Sequence, residues 1–334
     1  MGFNSLKIFP LRTIKTLLLL AFVYLVVTVG YYCMPGSFRY HVYVRAPIID
    51  HTLRRQGYKV LQGWDELALF GSDASVEMKE SYRGDYGYGG LPSQGLKVFG
   101  RVTLLKNRGY VVGYSESMRN PLWVAYRIFD VPNLDKKLIG PRESRFKVDT
   151  RTRAQVAHND YTHSGFDRGH MAPNYGIATR YGREAQLETF LMTNVIPQEP
   201  NINRHLWKDL EMRVARHYGR YFGEVWVITG PVFQGEIKKL DSGIPVPSAY
   251  YKIIVDEHDG ELRALAFLID RRCEPYTRIK TCLVSIDQIE RLTDLDFFPG
   301  LPDAAEAELE AKTASRLWPW IGPSMRYHLF SRTD

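Results

Sequence analysis

The chain begins with an uninterrupted run of apolar residues. Residues 16–34 (TLLLLAFVYLVVTVGYYCM) contain no charged side chain, and about 20 apolar residues are enough for a helix to cross the hydrocarbon core of a membrane. Lys7, Arg12 and Lys15 precede the run, whereas the first acidic residue is Asp50. Basic residues mark the cytoplasmic flank of such helices. The pattern therefore predicts a basic cytoplasmic tail over residues 1–15, an anchor over 16–36, and the rest of the chain across the membrane.

Two membrane locations are compatible with this N-terminal segment. A cleaved signal peptide usually has a shorter apolar stretch that ends in small residues, which favours an uncleaved anchor with an extracytoplasmic domain in the periplasm or at the cell surface. An acid-free, basic start also fits an organellar presequence fused to an anchor in the mitochondrial inner membrane, and this alternative stays open.

The remainder alternates between strand and turn patterns. A spacer is predicted over residues 37–95, because it is rich in Gly and Tyr near its end. Residues 102–106 and 110–114 then flank a turn with Gly109, which predicts a hairpin. Further strands are predicted at 122–128, 225–229, 249–255 and 262–268, the last two joined by a turn at Asp259-Gly260.

Two helices interrupt the strands. One begins near Arg204 and places Trp207, Leu210, Val214 and Tyr218 on a single apolar face. The other begins at Ser285, which forms a capping box with Gln288. Long hairpins with few helices predict an α+β fold with a mixed or antiparallel sheet over residues 96–315, followed by a C-terminal extension over 316–334.

The net charge and the cysteine count limit the classes of binding partner and of metal site. The 334 residues include 44 Lys and Arg against 37 Asp and Glu, a net charge of +7, and only three cysteines. The positive charge favours anionic partners such as nucleic acid or lipid headgroups. No C-x-x-C pair is present, which argues against a thiolate zinc site. Cys273 and Cys282 leave the presence of a disulfide open.

Two polar clusters carry the candidate chemistry. The first is Ser164-Gly-Phe-Asp-Arg-Gly-His-Met-Ala-Pro-Asn174, and the second runs from Thr193 to Glu211. Hydrolysis of a phosphodiester needs a base for the attacking water, cations for the phosphate oxygens and a Lewis acid for the leaving oxygen. His170 can serve as the base, Arg168 and Arg145 as the cations, and Asn203 as the single protein ligand of a hydrated Mg²⁺.

These clusters resemble the DNA/RNA non-specific endonucleases, the ββα-metal (His-Me finger) family that includes the Serratia nuclease and endonuclease G. Asp167-Arg168-Gly169-His170 is similar to the family's D-R-G-H motif, and Thr193-Asn194, Pro197-Gln198, Asn203, Trp207 and Leu210-Glu211 are similar to its second conserved segment. The resemblance covers roughly residues 96–315.

The resemblance implies a role for each matching residue. His170 would be the general base, and Asn203 the direct ligand of one Mg²⁺, with Mn²⁺ as a possible substitute. Glu211 would hold metal-bound water, and Asp167 would be a weaker candidate for the same contact with the metal through water. Arg168 would contact the scissile phosphate, and Arg145 would stabilise the transition state. The substrates would be DNA and RNA, held through phosphate contacts and cleaved to 5′-phosphate ends, and a dimer is compatible with the resemblance.

Several alternatives stay open at this point. Asp167 could be only an ion-pair partner, Glu211 only a solvated helix carboxylate, and Asn201 competes with Asn203 as the ligand. A regular α-helix would also separate Asn203 from Glu211 by about 12 Å. The same site could belong to an exonuclease or phosphodiesterase of narrower specificity, and a non-catalytic, membrane-tethered nucleic-acid binder is the alternative outside enzymes.

Overall fold

A computed structural model describes residues 11–67, 71–95, 100–131 and 139–319. Most of the predicted basic tail, the predicted domain start at Leu96 and the C-terminal residues 320–334 lie outside these ranges. The chain divides into two compact units, residues 1–65 and 66–334.

The N-terminal unit is helical. It contains α1 (Leu11–Cys33), α2 (Gly36–Arg45) and most of α3 (Pro47–Leu67). Residues Thr13–Cys33 of α1 are long and apolar enough to cross a membrane by length and composition. Leu18, for example, is 65% exposed. At the end of α1 the Tyr31 hydroxyl donates to Asp50 Oδ1 of α3 (2.8 Å). The predicted N-terminal apolar helix is therefore present.

The second unit contains the strands and the remaining helices. Its strands are β1 (Ala74–Glu77), β2 (Ser93–Gln94), β3 (Val102–Asn107), β4 (Tyr110–Ser115), β5 (Asn120–Phe129), β6 (Asp167–His170), β7 (Val195–Gln198), β8 (Glu224–Val232), β9 (Ala249–His258), β10 (Glu261–Asp270), β11 (Leu283–Val284) and β12 (Leu295–Asp296). Its helices are α4 (Asn174–Glu188), α5 (Lys208–Arg213), α6 (Gly219–Tyr221), α7 (Ile286–Thr293) and α8 (Asp303–Ala311).

The main sheet is antiparallel, in the order β1-β10-β9-β8-β5-β4-β3, with β11 also paired to β10. The predicted hairpins are present: β3 pairs with β4 around Gly109, whose φ is +86°, and β9 pairs with β10 around Asp259 and Gly260, both with positive φ. Positive φ suits glycine because it has no Cβ. An α+β fold with an antiparallel sheet is confirmed.

Both faces of this sheet are covered. Successive side chains of a strand point to opposite faces, and on β5 Tyr126 belongs to one buried cluster while Ala125 belongs to another. The Tyr126 face packs against Ile196 of β7 and against Leu206 and Leu210 of a helical segment that follows β7. The Ala125 face packs against residues of α7 and α8. We refer to these as the β7 face and the α7–α8 face.

Both predicted helices are present, but only one of them is a regular α-helix. The helical segment after β7 consists of π-helix over Ile202–Trp207, α5, a second π-helix over Val214–Tyr218, and α6. By contrast α7 is regular, and its N-cap Ser285 accepts a hydrogen bond from the backbone N–H of Gln288 (3.2 Å), as predicted.

The fold includes residues on both sides of the predicted domain. Strand β1 and the fully buried Tyr88 come from the predicted spacer, and β1 pairs with β10. Leu317 and Trp318, within the predicted C-terminal extension, are fully buried in the cluster on the β7 face. Arg316 also forms an ion pair with Asp73 (2.6 Å). Residues 71–95 and 316–319 thus contribute to the folded unit.

Candidate active site

The two polar clusters of the sequence meet in a short hairpin. β6 carries Asp167-Arg168-Gly169-His170 and pairs antiparallel with β7, so that Asp167 lies opposite Gln198 and His170 opposite Val195. A Cβ atom at Gly169 would overlap the side chain of Gln198. Glycine at this position therefore allows the close approach of the two strands.

The segments that flank the hairpin are fixed by buried hydrogen bonds. Asn194 is fully buried; its Oδ1 accepts from the Ala172 N–H (2.8 Å) and its Nδ2 donates to the Ala172 carbonyl (3.0 Å). Thr193 donates to Asp149 Oδ2 (2.7 Å). These contacts hold the backbone that follows His170 against the segment that precedes β7, which is a structural role for part of the second motif.

His170 and Asn203 line one cleft of about 290 Å³. Glu211 lines the same cleft, whereas Asn201 is exposed and lies outside it. The segment Ile202–Trp207 is a π-helix, so the continuous regular α-helix assumed for the separation of about 12 Å is not formed between Asn203 and Glu211. The remaining lining residues are Arg142, Pro173, Asn174, Tyr175, Gly176, Arg204, Lys208, Met212 and Ala215.

The imidazole of His170 is held neutral. It is 8% exposed, with Phe146 and Phe190 at ring-centroid distances of 4.9 and 5.2 Å. Burial, with a smaller contribution from the positive charge of Arg142, lowers the pKa of His170 to about 3. Its Nε2 has no hydrogen-bond partner among the described residues. A neutral imidazole with an unpaired nitrogen can accept a proton from water, as a general base must.

Asn203 is oriented by its neighbours. Its Nδ2 donates to Asp167 Oδ2 (2.9 Å), and Asp167 also forms an ion pair with Arg204 (2.7 Å). Burial tends to raise the pKa of Asp167, but the hydrogen bonds from Arg204 and Asn203 outweigh burial and keep this pKa below its usual range. Asp167 is thus an ion-pair partner and also anchors the amide of Asn203, so that Oδ1 is the atom left for a ligand.

Glu211 faces a buried cation. Lys252, on the same face of β9 as the core residue Ile254, is fully buried; its Nζ lies 4.4 Å from the Trp207 ring centroid and donates to the Tyr126 hydroxyl (3.2 Å). Burial raises the pKa of Glu211, and the charge of Lys252 partly offsets that increase. Burial also lowers the pKa of Lys252, opposed by Glu211. Trp207 is 1% exposed and belongs to the core, as its helical spacing predicts.

The predicted arginines lie apart from this cleft. Arg168 donates to the His158 carbonyl (2.7 Å) and the Thr162 hydroxyl (3.2 Å), and it lines a neighbouring depression of about 440 Å³. Arg145 is exposed and contributes, after burial and Arg168, to lowering the pKa of His158. Neither side chain lines the cleft with His170.

Sequence reasoning missed three cations of the cleft and one structural lysine. Arg142, Arg204 and Lys208 line the cleft, and Lys252 is buried against the Trp207 ring. Arg142 is three residues before Arg145 in the same segment, so the basic composition of Pro141–Lys147 was a usable signal. No local pattern distinguishes Lys252, which lies between Tyr251 and Ile253 in β9, and its role is recognised only once its burial is known.

The oxygen donors of the cleft suit a hard divalent cation. Asn203 offers an amide oxygen, and Oε1 of Glu211 is buried without a hydrogen-bond partner among the described residues. Mg²⁺ prefers oxygen ligands, takes few from the protein and keeps several waters. An amide and a carboxylate on one cleft wall match that requirement.

Comparisons with known proteins agree with the geometry. The family model for DNA/RNA non-specific endonucleases matches residues 88–304. The chain belongs to the DNA/RNA non-specific endonuclease family. Members of this family are metal-dependent nucleases, hydrolases that act on phosphodiester bonds of nucleic acids, so the predicted family and enzyme class are confirmed.

Individual relatives match over the same region. The mitochondrial nuclease EXOG of Danio rerio is 31% identical over 212 residues, 58% of this chain and 60% of that protein. Human mitochondrial endonuclease G is 30% identical over 234 residues, 64% of this chain and 75% of that protein. A nuclease of Nostoc sp. is 29% identical over 224 residues, 63% of this chain and 77% of that protein.

A solved structure shows the same fold. The crystal structure of the EndoG/EndoGI complex superposes with a TM-score of 0.56 at 26% identity, covering 62% of this chain and 90% of that chain. The match to the zebrafish EXOG spans about three fifths of that protein.

Proposed function

We propose that this protein is a membrane-anchored, Mg²⁺-dependent endonuclease that hydrolyses DNA and RNA without regard to the sugar. The observation that carries the proposal is the shared cleft, which His170 and Asn203 both line, with Nε2 of His170 buried and without a hydrogen-bond partner among the described residues. A base and a metal ligand must act on one phosphorus atom, and a common cleft is the minimum requirement for that.

Each side chain of the cleft has a separate role in phosphodiester hydrolysis. His170 Nε2 accepts the proton of the attacking water, which its neutral state permits. Asn203 would hold Mg²⁺ directly and Glu211 would hold it through water, with Asp167 orienting Asn203. The bound ion would supply a Lewis acid for the leaving oxygen. Arg142 and Lys208 are cations that line the cleft beside the substrate phosphates.

Arg168 and Arg145 keep the roles that the family implies, at a distance from the base. Arg168 would contact a phosphate along the neighbouring depression, which shares the lining residue Arg204 with the cleft. Arg145 would move toward the transition state from its exposed position. Phosphate contacts carry no base information, which accounts for low sequence specificity.

Charge supports an anionic substrate. Between Gly140 and Arg220 there are 13 Lys and Arg against 9 Asp and Glu, a local net charge of +4. A basic surface around a cleft raises the local concentration of a polyanion and speeds its association.

The test is plasmid nicking by the full chain in detergent micelles. Supercoiled DNA should be nicked with Mg²⁺ and left intact with EDTA, and a structured RNA should be cleaved under the same conditions. His170→Ala should lower the rate by about 10²–10⁴-fold while DNA retention stays near the wild-type value. His205→Ala provides a matched control, because His205 is exposed on the same helical segment outside the cleft.

Two other results would change the assignment. Degradation of linear DNA with circles spared would identify an exonuclease or a narrower phosphodiesterase. DNA retention without cleavage under any divalent metal would identify a nucleic-acid binder.

The anchor is proposed from α1. Its apolar side chains and length support membrane insertion, with the nuclease unit on the side opposite the basic tail. Relatives named as mitochondrial nucleases support the mitochondrial alternative, of which the inner membrane is the proposed site, and a periplasmic or surface domain on a bacterial membrane is the other proposal. Resistance to alkaline carbonate extraction, lost on deletion of residues 11–33, tests insertion in either case.

A further inference from the structure

The helical unit exposes apolar and aromatic side chains directly after the proposed anchor. Every residue of α2 (Gly36–Arg45) is described, and none of the ten is buried. Ile48, at the start of α3, is 81% exposed. The exposed aromatic residues of α2 are Phe38, Tyr40 and Tyr43. We call residues 36–49 the post-anchor segment. Single exposed apolar residues are ordinary, but a run of them marks an interaction site.

The post-anchor segment begins close to the end of the apolar helix. The apolar part of α1, Thr13–Cys33, has 21 residues. As a helix it is about 32 Å long, close to the thickness of about 30 Å of a hydrocarbon core. From Cys33 to the start of α2 at Gly36, three residue steps span at most about 11 Å. The polar headgroup layer on each side of the core is about 5–8 Å thick. A spanning α1 therefore places the start of α2 within the headgroup layer or just beyond it.

Packing of α3 against α1 holds the other end of the segment at the same level. The Tyr31 hydroxyl donates to Asp50 Oδ1 (2.8 Å), directly after the segment. A Cβ atom at Gly57 would overlap the Thr28 carbonyl and the Tyr32 side chain, so glycine lets α3 approach the last turns of α1 closely. The segment is thus connected to the end of α1 by the chain at its start and by these contacts at its end.

The charge of this region is positive. Residues 36–64 contain five Lys and Arg and a single acidic residue, Asp50. Asp50 is buried, accepts the hydrogen bond from Tyr31 and lies 3.9 Å from Arg54, so its charge is not presented to solvent. Arg45, at the end of α2, is exposed. Aromatic side chains beside exposed cations are typical of segments that lie at a membrane surface.

We propose that the post-anchor segment lies in the headgroup layer and binds anionic phospholipid. The inference rests on the proposed anchor, because α1 is what brings the segment to lipid. A basic residue near an anionic membrane surface favours the bound state about 5-fold, the equivalent of about 1 kcal/mol. Nucleic acid also attracts cations, but it offers no hydrocarbon for exposed aliphatic side chains such as Val44 and Ile48.

The test places a photo-crosslinking residue in the full chain, reconstituted in vesicles of phosphatidylcholine with a minor share of phosphatidylglycerol, with plasmid DNA present. After illumination, Ile48→benzoylphenylalanine should yield phospholipid adducts, identified by mass spectrometry. Phe22→benzoylphenylalanine, exposed in the middle of α1, reports insertion of the anchor and gives the reference lipid composition. Leu104→benzoylphenylalanine, exposed on β3, gives the background yield.

The composition of the adducts tests recognition of charge. Adducts at Ile48 should contain phosphatidylglycerol at about 5 times the share found at Phe22. Arg45→Gln should reduce this enrichment to near the reference share, because it removes the exposed cation at the end of α2. Arg291→Gln, a matched control at a position that is 67% exposed on α7, should leave the enrichment unchanged.

The three positions separate this proposal from that of the anchor. Lipid adducts at Phe22 with none above background at Ile48 would overturn the proposal and leave the anchor in place. Adducts of Ile48 with a second copy of the chain or with DNA, or an enrichment that is absent or survives in Arg45→Gln, would overturn it as well. Absence of lipid adducts at both Phe22 and Ile48 would overturn the anchor together with this proposal, while plasmid nicking would still report the nuclease activity separately.

Discussion

Asn203 and Asp167 are joined by a 2.9 Å hydrogen bond in which the amide nitrogen donates to the carboxylate. The two residues come from different elements, the first π-turn after β7 and the start of β6, so the bond fixes the helix against the strand. It also determines which atom of the amide remains for a metal. An acid at the head of the D-R-G-H motif thus acts on the proposed ligand across the hairpin.

Asp167→Asn should weaken Mg²⁺ binding by about 10–100-fold, the usual effect of removing a partner that orients a metal ligand. The rate at saturating Mg²⁺ should fall much less. The dependence of plasmid nicking on Mg²⁺ concentration measures both quantities. Arg204→Gln removes the ion pair of Asp167 but leaves its bond to Asn203, so it should shift the Mg²⁺ dependence less. An equal shift in both variants would assign the effect to charge rather than orientation.

Arg142→Gln should raise the pKa of His170, because the positive charge of Arg142 opposes protonation of the imidazole. It should also raise KM for DNA, since a cation is lost from the cleft. NMR titration of ¹³C-labelled histidine in the free protein measures the pKa. Arg145→Gln is the comparison: its charge acts on His158, so the pKa of His158 should rise while that of His170 stays constant. A His170 pKa unchanged in Arg142→Gln would contradict the assignment.

The sequence alone predicted the elements whose signals are local. Hairpin turns at Gly109 and Gly260 depend on positive φ, and the cap at Ser285 depends on a hydroxyl directly before the helix, which accepts from the N–H three residues later. Each signal is contained in a few neighbouring residues. His170 and Asn203 were identified because both belong to compact motifs. Their meeting in one cleft required the pairing of β6 with β7, which the motifs imply only through family resemblance.

Features that depend on distant packing were not predictable in the same way. The segment Ile202–Trp207, which contains Asn203, is a π-helix, and apolar spacing does not distinguish a π-helix from an α-helix. The charge of Lys252 is offset by Glu211, a residue 41 positions earlier on a different element. Strand β1 is four residues long and pairs with β10, almost two hundred residues later, so composition placed it in a spacer.

His170→Asn should make the protein less sensitive to acid. The pKa of His170 is about 3 in the folded protein and about 6.5 when unfolded, so the unfolded chain binds more protons between these values. The stabilisation is complete above pH 6.5 and is lost progressively as pH falls toward 3. At pH 4.5 the wild type should have lost about 2 kcal/mol that the variant does not lose.

Urea unfolding at pH 7 and pH 4.5 measures this difference. His205→Asn is the matched control, since His205 is exposed, and it should follow the wild type. Equal acid sensitivity in all three proteins would show that His170 is not held neutral by burial.

A fragment that begins at Ser72 should be markedly more stable than one that begins at Gly100. The shorter fragment lacks β1, the fully buried Tyr88 and Asp73, the ion-pair partner of Arg316. Loss of one large buried aromatic side chain alone typically costs about 3–5 kcal/mol. Thermal unfolding of both fragments, each ending at residue 334, measures the difference. Equal Tm values would show that residues 71–95 are a spacer, as the composition predicts.

Lys252→Met should destabilise the protein by about 3–5 kcal/mol, because it leaves the Glu211 carboxylate beside the core without its cation. The pKa of Glu211 should rise further, which would lower the fraction ionised at neutral pH and with it the nicking rate. Lys208→Met, an exposed lysine that lines the same cleft, should change stability by less than about 0.5 kcal/mol.

The double variant Lys252→Met/Glu211→Gln separates the two effects. It removes both charges, so most of the lost stability should return, as it does when a buried ion pair is replaced as a unit. Activity should not return, because the carboxylate proposed to hold water at the metal is gone. Urea unfolding and plasmid nicking on the same preparations measure stability and activity. Recovery of activity with stability would show that Glu211 serves only to neutralise Lys252.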